Sequence, residues 1–427
     1  MIDNISKQFK LINGRRKLCE GWQWQPLSYL AKDTERRNPK LQFPGNSFKY
    51  IDIQSIDNEL GKITKFQTLL TQEAPSRARK LIRTDDIIIA TTRPYLRNIA
   101  LVPPELNDAI CSTGFCVLRA DHALVLPKYI YYACLSDIVI EQLIPKQRGA
   151  NYPAVSDHDI FESIIPLPCP DNSVSSLNIQ RAIVTRIETL LDEVRESRKL
   201  LYEIQQKTNQ MMGIVLEQVY RELELSQVPV KDLGSLLSKK PQYGTSKKAH
   251  ENYLGTAILR MGNITNTGTI SFNDLKYVEL PPHEEEKYII KEGDILFNRT
   301  NSAELVGKSA VFEGSHKAVF ASYLIRLIPD KYKVNSKYLN SYINSNRGRA
   351  YVQSQLTRAI GMVNVNAKKL AAMPVPVPDI KVQEQVVAYV DTIQNEVNEI
   401  LKILQQDAQS LDMIEKSILE RAFIGEL

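Results

Sequence analysis

Long apolar runs are missing from this chain: none of its 427 residues lies in a stretch approaching the ~18 uncharged apolar residues that a membrane span needs. The opening MIDNISKQFKLINGRRKLCE has no apolar core of the kind a signal peptide carries, so no membrane partner is expected. Cysteine is scarce. The five residues Cys19, Cys111, Cys116, Cys134 and Cys169 form no CxxC pair, which points to reduced thiols in a cytoplasm rather than a disulfide framework. Cys111 and Cys116 flank a predicted strand and are expected as buried small hydrophobes. The five histidines (His122, His158, His250, His283, His316) have no metal-ligand spacing. Phosphate loops of the GxGxxG or GxxxxGK(S/T) type are lacking, as is the Asn/Asp-Pro-Pro-Tyr/Phe motif of adenine methylation. NYPA (151–154) comes nearest and lacks the second proline. The acidic HEEEKY (283–288) reads as a solvated loop rather than a metal site. No catalytic, cofactor-binding or metal-binding residue is therefore nominated, although a site assembled from distant positions would leave no such local trace.

What is present suits two or three soluble domains: 43% hydrophobic and 24% charged residues in a chain too long for one core. The net charge of +5 is unevenly spread. Residues 178–226 carry net −1 and residues 380–427 net −5, leaving +11 on the remainder. A basic surface of that kind favours polyanions.

The chain repeats itself over two long halves. Tyr50–Ile63 resembles Ala257–Ile270, DDIIIATT (85–92) resembles GDILFNRT (293–300), and TGFCV (113–117) resembles ASYLI (321–325). PKYI (127–130) matches SKYL (336–339), and NYPAVSDHDIFESIIPLP (151–168) matches GMVNVNAKKLAAMPVPVP (361–378), at offsets that stay between 207 and 210. Each half runs from a globular segment through a proline-rich exit into a long helix. Within the globular segments Ile87–Ala90, Ile295–Phe297, Phe115–Leu118 and Tyr323–Leu327 read as strands, whereas KYIYYACLSD and KYLNSYINS read as helices with an aromatic face. Pro166, Pro168 and Pro170, like Pro374, Pro376 and Pro378, forbid helix and give a stiff exit.

In the first long helix Ile187, Leu190, Val194, Leu201, Ile204, Met211 and Val215 fall on alternating three- and four-residue steps, interrupted by Ser197 and Thr208. Val390, Ile393, Val397, Ile400, Leu404, Leu411, Ile414 and Ile418 do the same in the second, interrupted by Asp407; the two seams coincide after adding 203. Such a shared heptad seam predicts a coiled coil, and at ~1.5 Å per residue a helix of about 45 residues is roughly 65–70 Å long. Connectivity makes the pair antiparallel, because the second globular segment begins almost at once after the first helix. The prediction is a dumbbell: two similar basic domains at opposite ends of a rod, related by a pseudo-two-fold axis. The near-copy of LEQVYRELE (216–224) in the terminal LERAFIGEL (419–427) is then one capping unit used twice.

These residues resemble a known family. The exit-plus-helix patterns PLP…IQRAIVTRIETLLDEV and PVPDIKVQEQVVAYVDTI, the helix end ILERAFIGEL, and the segments GDILFNRTN and VNVNAKKLAAMPVPVP are similar to those of specificity subunits of Type I restriction–modification systems. The midpoint copy departs in lacking Gly-Glu-Leu, and the linker CPDNSVSSLN is longer than its counterpart. The resemblance implies an α+β fold with two similar α/β target-recognition domains separated by two long antiparallel helices. The division expected is 1–170 and 227–379 for the two recognition domains, with 171–226 and 380–427 for the helices. It also implies double-stranded DNA, two methyltransferase subunits and a restriction/translocase subunit as partners. The methyl donor and ATP would belong to those partners, leaving this chain with no cofactor.

Direct readout needs Arg for guanine and Asn or Gln for adenine. Thr91, Thr92, Arg93, Tyr95 and Arg97 follow a strand in the first half, and Asn298, Arg299, Thr300 and Asn301 follow its equivalent in the second. Solvated turns with structural caps are the alternative for both loops. A second pair of candidate loops holds Arg148, Asn151 and Tyr152, and Arg358 and Met362; their glycines permit close backbone approach or simply a turn. Arg77, Arg79 and Lys80, with Lys239, Lys240, Tyr243 and Lys247, are basic segments suited to phosphates or to plain solvation. Tyr220, Leu223, Phe423 and Leu427 near the helix ends pack internally or offer an apolar edge to a partner. The expected function is recognition of a bipartite, asymmetric DNA target without chemistry by this chain. The rivals are a scaffold binding RNA or non-specific DNA, and an enzyme with an unrecognised site.

Overall fold

The β-branched run Ile87–Ala90 forms a fully buried strand, and a buried counterpart, Ile295–Asn298, lies in the second half. Both belong to a computed structural model that describes residues 18–42, 46–58, 60–265, 267–301, 306–314, 316–359 and 362–427; the side chains of Asn301, Arg358, Ala359 and Met362 lie outside that description. Backbone contacts gather the chain into two compact units, residues 1–201 with 406–427, and residues 202–405.

In the first unit, strand Ile87–Ala90 lies antiparallel to Phe115–Ala120 on one side and to Ile99–Leu101 on the other. A second sheet runs Gln67–Leu70, Ser47–Ile51, Ala109–Ser112, Ala78–Ile82, and its central pair is parallel, Ile110 opposite Tyr50. The second unit repeats both arrangements. Ile295–Asn298 lies between Leu324–Pro329 and Ser309–Val311, and Thr256–Leu259 pairs in parallel with Ala318–Phe320. It adds a sheet of its own, Thr300–Asn301 with Met362–Asn364 and Thr357–Ala359.

The predicted aromatic helices form at Pro127–Leu135 and Ser336–Asn344, and their tyrosines are core. Tyr129 Oη donates to the Pro166 carbonyl at 2.8 Å, and Tyr338 Oη donates to that of Pro376 at 2.7 Å. The proline-rich exits are strands: Ile164–Pro168 pairs with Trp22–Pro26, and Pro374–Pro376 pairs with Val230–Asp232. A two-stranded ribbon tolerates proline because one edge of each strand needs no donor. The acidic run read as a loop is instead a helix, Pro282–Tyr288, opened by proline at its first turn. Its carboxylates are engaged, Glu285 with Lys317 at 2.8 Å and Glu284 with Lys247 at 3.3 Å.

The long helices span Ser173–Leu225 and Ile380–Ile424. Within the first unit their segments run antiparallel: Arg198, near the end of the central helix's share, reaches Asp412 and Glu415, near the start of the C-terminal helix's share, at 2.7 and 2.6 Å. The heptad seam is only partly buried. Ile187, Val194, Val390, Val397, Leu404 and Ile418 are inside, but Ile204, Met211 and Ile414 are 46%, 38% and 47% exposed, while the supposed interruption Thr208 is buried. Ile187, Val194, Val390 and Ile418 also meet a globular core. Gln180 and Gln383, both fully buried near the helix starts, bind the loops at Leu124–Leu126 and Lys333–Asn335 through their amides. Among the described residues no helix is long and apolar enough to cross a membrane.

Candidate nucleic-acid interface

In the first unit the two loops that the sequence marks separately are joined. Strand Ile87–Ala90 ends at Thr91, whose Oγ1 donates to the Gly114 carbonyl at 3.0 Å. Thr92 then bridges to Ala154, and the Arg93 amide donates to the Pro153 carbonyl at 2.7 Å. Arg148 bridges to the same Ala154, closing the turn that carries Asn151 and Tyr152. Gly149 makes this turn at φ +94°, where a Cβ would sit 3.2 Å from the Tyr152 carbonyl. The Arg93 guanidinium lies over the Tyr152 ring, 5.2 Å from its centroid, and Tyr152 as a residue remains 71% exposed. A cation held on an aromatic face in this way gains ~0.5–1 kcal/mol at an exposed site and is oriented by the contact. Arg148 is 72% exposed, 3.4 Å from Asp159.

The second unit joins its loops through a different device. Arg299 follows the buried strand Ile295–Asn298, its amide donating to the Tyr323 carbonyl at 3.1 Å and its carbonyl accepting from Val365 at 3.0 Å. Thr300 and Asn301 pair with Asn364 and Val363, and Arg358 lies opposite Val363 on the next strand. The Arg299 guanidinium lies over Tyr243, 4.9 Å from its centroid, and Tyr243 Oη accepts from the Ala367 amide at 2.9 Å. Thus Tyr243, predicted only as part of a basic run, is brought to the strand-end loop. Lys239 and Lys240 are exposed on the same strand, and Lys247 is paired with Glu284. The side chains predicted at Asn301, Arg358 and Met362 lie outside the described residues.

Four predicted contacts are corrected. Lys80 is 2% exposed and spends its charge on Asp157 and the Phe115 carbonyl, because its strand position faces inward. Arg97 is tied to the buried Asp137 and to the Leu135 carbonyl. Arg79 folds back onto the carbonyls of Pro75 and Ala78 at 3.4 and 2.7 Å, leaving Arg77 as the exposed cation of that segment. Asn298 is fully buried, so its amide cannot reach a base edge. In the second unit Lys308 and Arg349 come close although they are far apart in the chain. Burial, then the Arg349 charge, holds the Lys308 ammonium below its ordinary value.

Other features offer less. A cleft of the first unit, about 690 Å³, is lined by Gly61, Pro104, Tyr131, Glu188 and Arg195 among others, and by none of the predicted contacts. Cys111, Cys116 and Cys134 are buried, and burial pushes their thiols far above the usual range. Among the described residues no group of three or more His, Cys, Asp or Glu side chains could hold a metal ion.

The chain mixes α and β and holds two alike units, each closing polar arginine-bearing loops onto an exposed tyrosine, together with two long helices. Residues 224–409 match the family model of the Type I restriction modification DNA specificity domain. The HsdS subunit from Thermoanaerobacter tengcongensis is similar in structure over 97% of this chain and 99% of its own, with 32% identity and a TM-score of 0.62. A chain from a structure describing complex assembly and conformational transition of the type I R-M system aligns over 96% of this chain and all of its own, with 31% identity and a TM-score of 0.78. The StySPI specificity subunit of Salmonella potsdam is 25% identical over 97% of this chain and 90% of its own. The chain belongs to the specificity subunits of Type I restriction–modification systems.

Proposed function

We propose that the two units read the two halves of a bipartite, asymmetric target on double-stranded DNA, and that this chain recruits partners that do the chemistry. The observation that carries this reading is the joined loop pair of each unit, Arg93 on Tyr152 and Arg299 on Tyr243. Arginine is the side chain that reads guanine bidentately, and an aromatic neighbour pre-orients it. The net +11 outside the helical segments would supply phosphate affinity without naming a sequence. The loops differ between the units in length, partner strand and tyrosine, so the half-sites differ, where a symmetric protein would read a palindrome. The long helices act as the ruler between half-sites and as docking surface for two methyltransferase subunits, with a restriction subunit joining the assembly in the cytoplasm. Methyl donor and ATP bind those partners.

Co-expression with a methyltransferase subunit, followed by genome-wide mapping of methylated adenines, tests this. The expected motif has two dissimilar specified parts around an unspecified gap, and inserting seven residues at matched positions of both helices lengthens that gap. Methylation without any motif, or DNA binding that survives scrambling of the sequence, would instead make the chain a non-specific scaffold.

A further inference from the structure

The loop after strand Ile87–Ala90 is more constrained than hydrogen bonding of a turn requires. It makes a single 3-10 turn, Pro94–Leu96, and both flanking residues adopt the left-handed conformation: Arg93 at φ +51° and Arg97 at φ +52°. Neither is glycine, so each costs conformational free energy that a glycine would avoid. Each side chain is used elsewhere, Arg93 on Tyr152 and Arg97 on Asp137 and the Leu135 carbonyl, which explains why glycine does not stand there. The turn is held further by Asn58, whose Nδ2 donates to the Leu96 carbonyl at 3.0 Å, and by the buried Pro94. What all this anchoring presents to solvent is not polar. Tyr95 and Leu96, adjacent at the tip, are 46% and 40% exposed.

We propose that Tyr95 and Leu96 form a rigid apolar wedge that enters a base step of the first half-site and partly unstacks it. This rests on the DNA-reading function proposed above. Two adjacent apolar side chains gain little from phosphates or base-edge hydrogen bonds, but they can replace lost stacking between bases. A neighbouring cation matches such an occupant: Arg148, exposed on a loop joined to this one, can meet a phosphate of the opened step, while Arg93 stays on Tyr152. A wedge must also be stiff, since a flexible tip would fold back rather than part the bases, and the two left-handed residues with their side-chain anchors provide that stiffness.

The test uses the chain assembled with its methyltransferase partner and a duplex containing the mapped target. 2-Aminopurine is placed in turn at each position of the first half-site and its flanks except the methylated adenine, whose extrusion belongs to the methyltransferase. Binding of the wild-type assembly is expected to brighten one step. Tyr95→Ala/Leu96→Ala should abolish that signal and weaken binding by about tenfold or more, while the dependence of affinity on salt is unchanged because phosphate contacts remain. Tyr95→Phe should retain the signal, since a ring of the same size still stacks. The wedge is refuted if the wild-type assembly prefers its target over a scrambled duplex and yet no step brightens, or if the double variant keeps both signal and affinity. Loss of target preference in the wild-type assembly would overturn the DNA-reading proposal, and the wedge with it.

Discussion

Phe423 packs edge-on against Tyr129, ring centroids 5.0 Å apart at 69°, with both side chains fully buried. Tyr220 does the same to Tyr338 in the second unit, at 5.8 Å and 63°, and its hydroxyl lies 2.6 Å from Ser341 Oγ. Phe423 and Tyr220 are corresponding residues of LERAFIGEL and LEQVYRELE, so the repeated nonapeptide is the helix end that closes each globular core. Of the four helix-end residues that could have offered a partner an apolar edge, these two pack internally.

Phe423→Ala is expected to lower the stability of the first unit by ~3–5 kcal/mol, the transfer and cavity cost of a buried ring. Both tryptophans, Trp22 and Trp24, lie in that unit, so tryptophan fluorescence during urea unfolding reports it selectively. Tyr220→Phe should leave the tryptophan transition in place and lower hydrogen-exchange protection around Tyr338 by ~1–3 kcal/mol, the cost of unmaking its hydroxyl's bonds.

The two long helices end in the same cap made from different residues. The Glu426 amide donates to the Arg421 carbonyl with Gly425 at φ +81°, and the Val228 amide donates to Leu223 with Gln227 at φ +55°. A left-handed glutamine is strained where glycine is not, so Gln227→Gly should stabilise the second unit by ~0.5–1 kcal/mol. Hydrogen exchange across the end of the central helix measures it, and slower protection changes of the opposite sign would rule out this origin of the cap. Gly425→Ala should destabilise, since its Cβ would sit 2.6 Å from Cys19 Sγ.

Arg97 and Arg299 occupy corresponding loops but have different work. Arg97→Ala leaves the buried Asp137 short of one partner and should lower stability by ~1–3 kcal/mol. Arg299→Ala should cost ~1–3 kcal/mol in target discrimination at one position of the second half-site. Paired unfolding and methylation-motif measurements on both variants separate the two; an unchanged motif with Arg299→Ala would exclude that side chain from readout.

Acid should weaken the first unit through Asp137. Burial pushes its carboxyl up, but hydrogen bonds from Lys416 and Arg97 outweigh burial and hold it below the ordinary 3.8. A depressed folded value means that the stabilisation is present above pH 3.8 and is lost as pH falls through the lower folded value. In Asp137→Asn the tryptophan-detected stability should therefore fall short of wild type at neutral pH and converge on it as pH falls through the lowered folded value. A constant difference across that range would assign the loss to packing instead.

Much of the fold was legible from periodicity and repetition. Ile87–Ala90 and Phe115–Ala120 declare themselves by β-branched and apolar runs, and the helix following each proline-rich exit by its three-and-four spacing, because these patterns follow from backbone geometry. The heptad seam over-predicted burial at Ile204, Met211 and Ile414, since spacing names a face but not what covers it. HEEEKY was misread because charge argues for solvent exposure, and a helix can be as exposed as a loop.

For the interface, the sequence by itself determined the inventory: which segments are polar, basic and repeated, and that two such sets exist. It could not decide which cations are free. Lys80 and Arg97 look no different from Arg93 in composition, yet they neutralise Asp157 and Asp137, carboxylates 77 and 40 residues away. Nor could it place Tyr152 under Arg93 or Tyr243 under Arg299, since those contacts arise from strand pairing between distant segments. Chemical type is local to a residue. Availability of a charge is set by the partners that tertiary structure brings within a few ångströms, and only the folded chain specifies them.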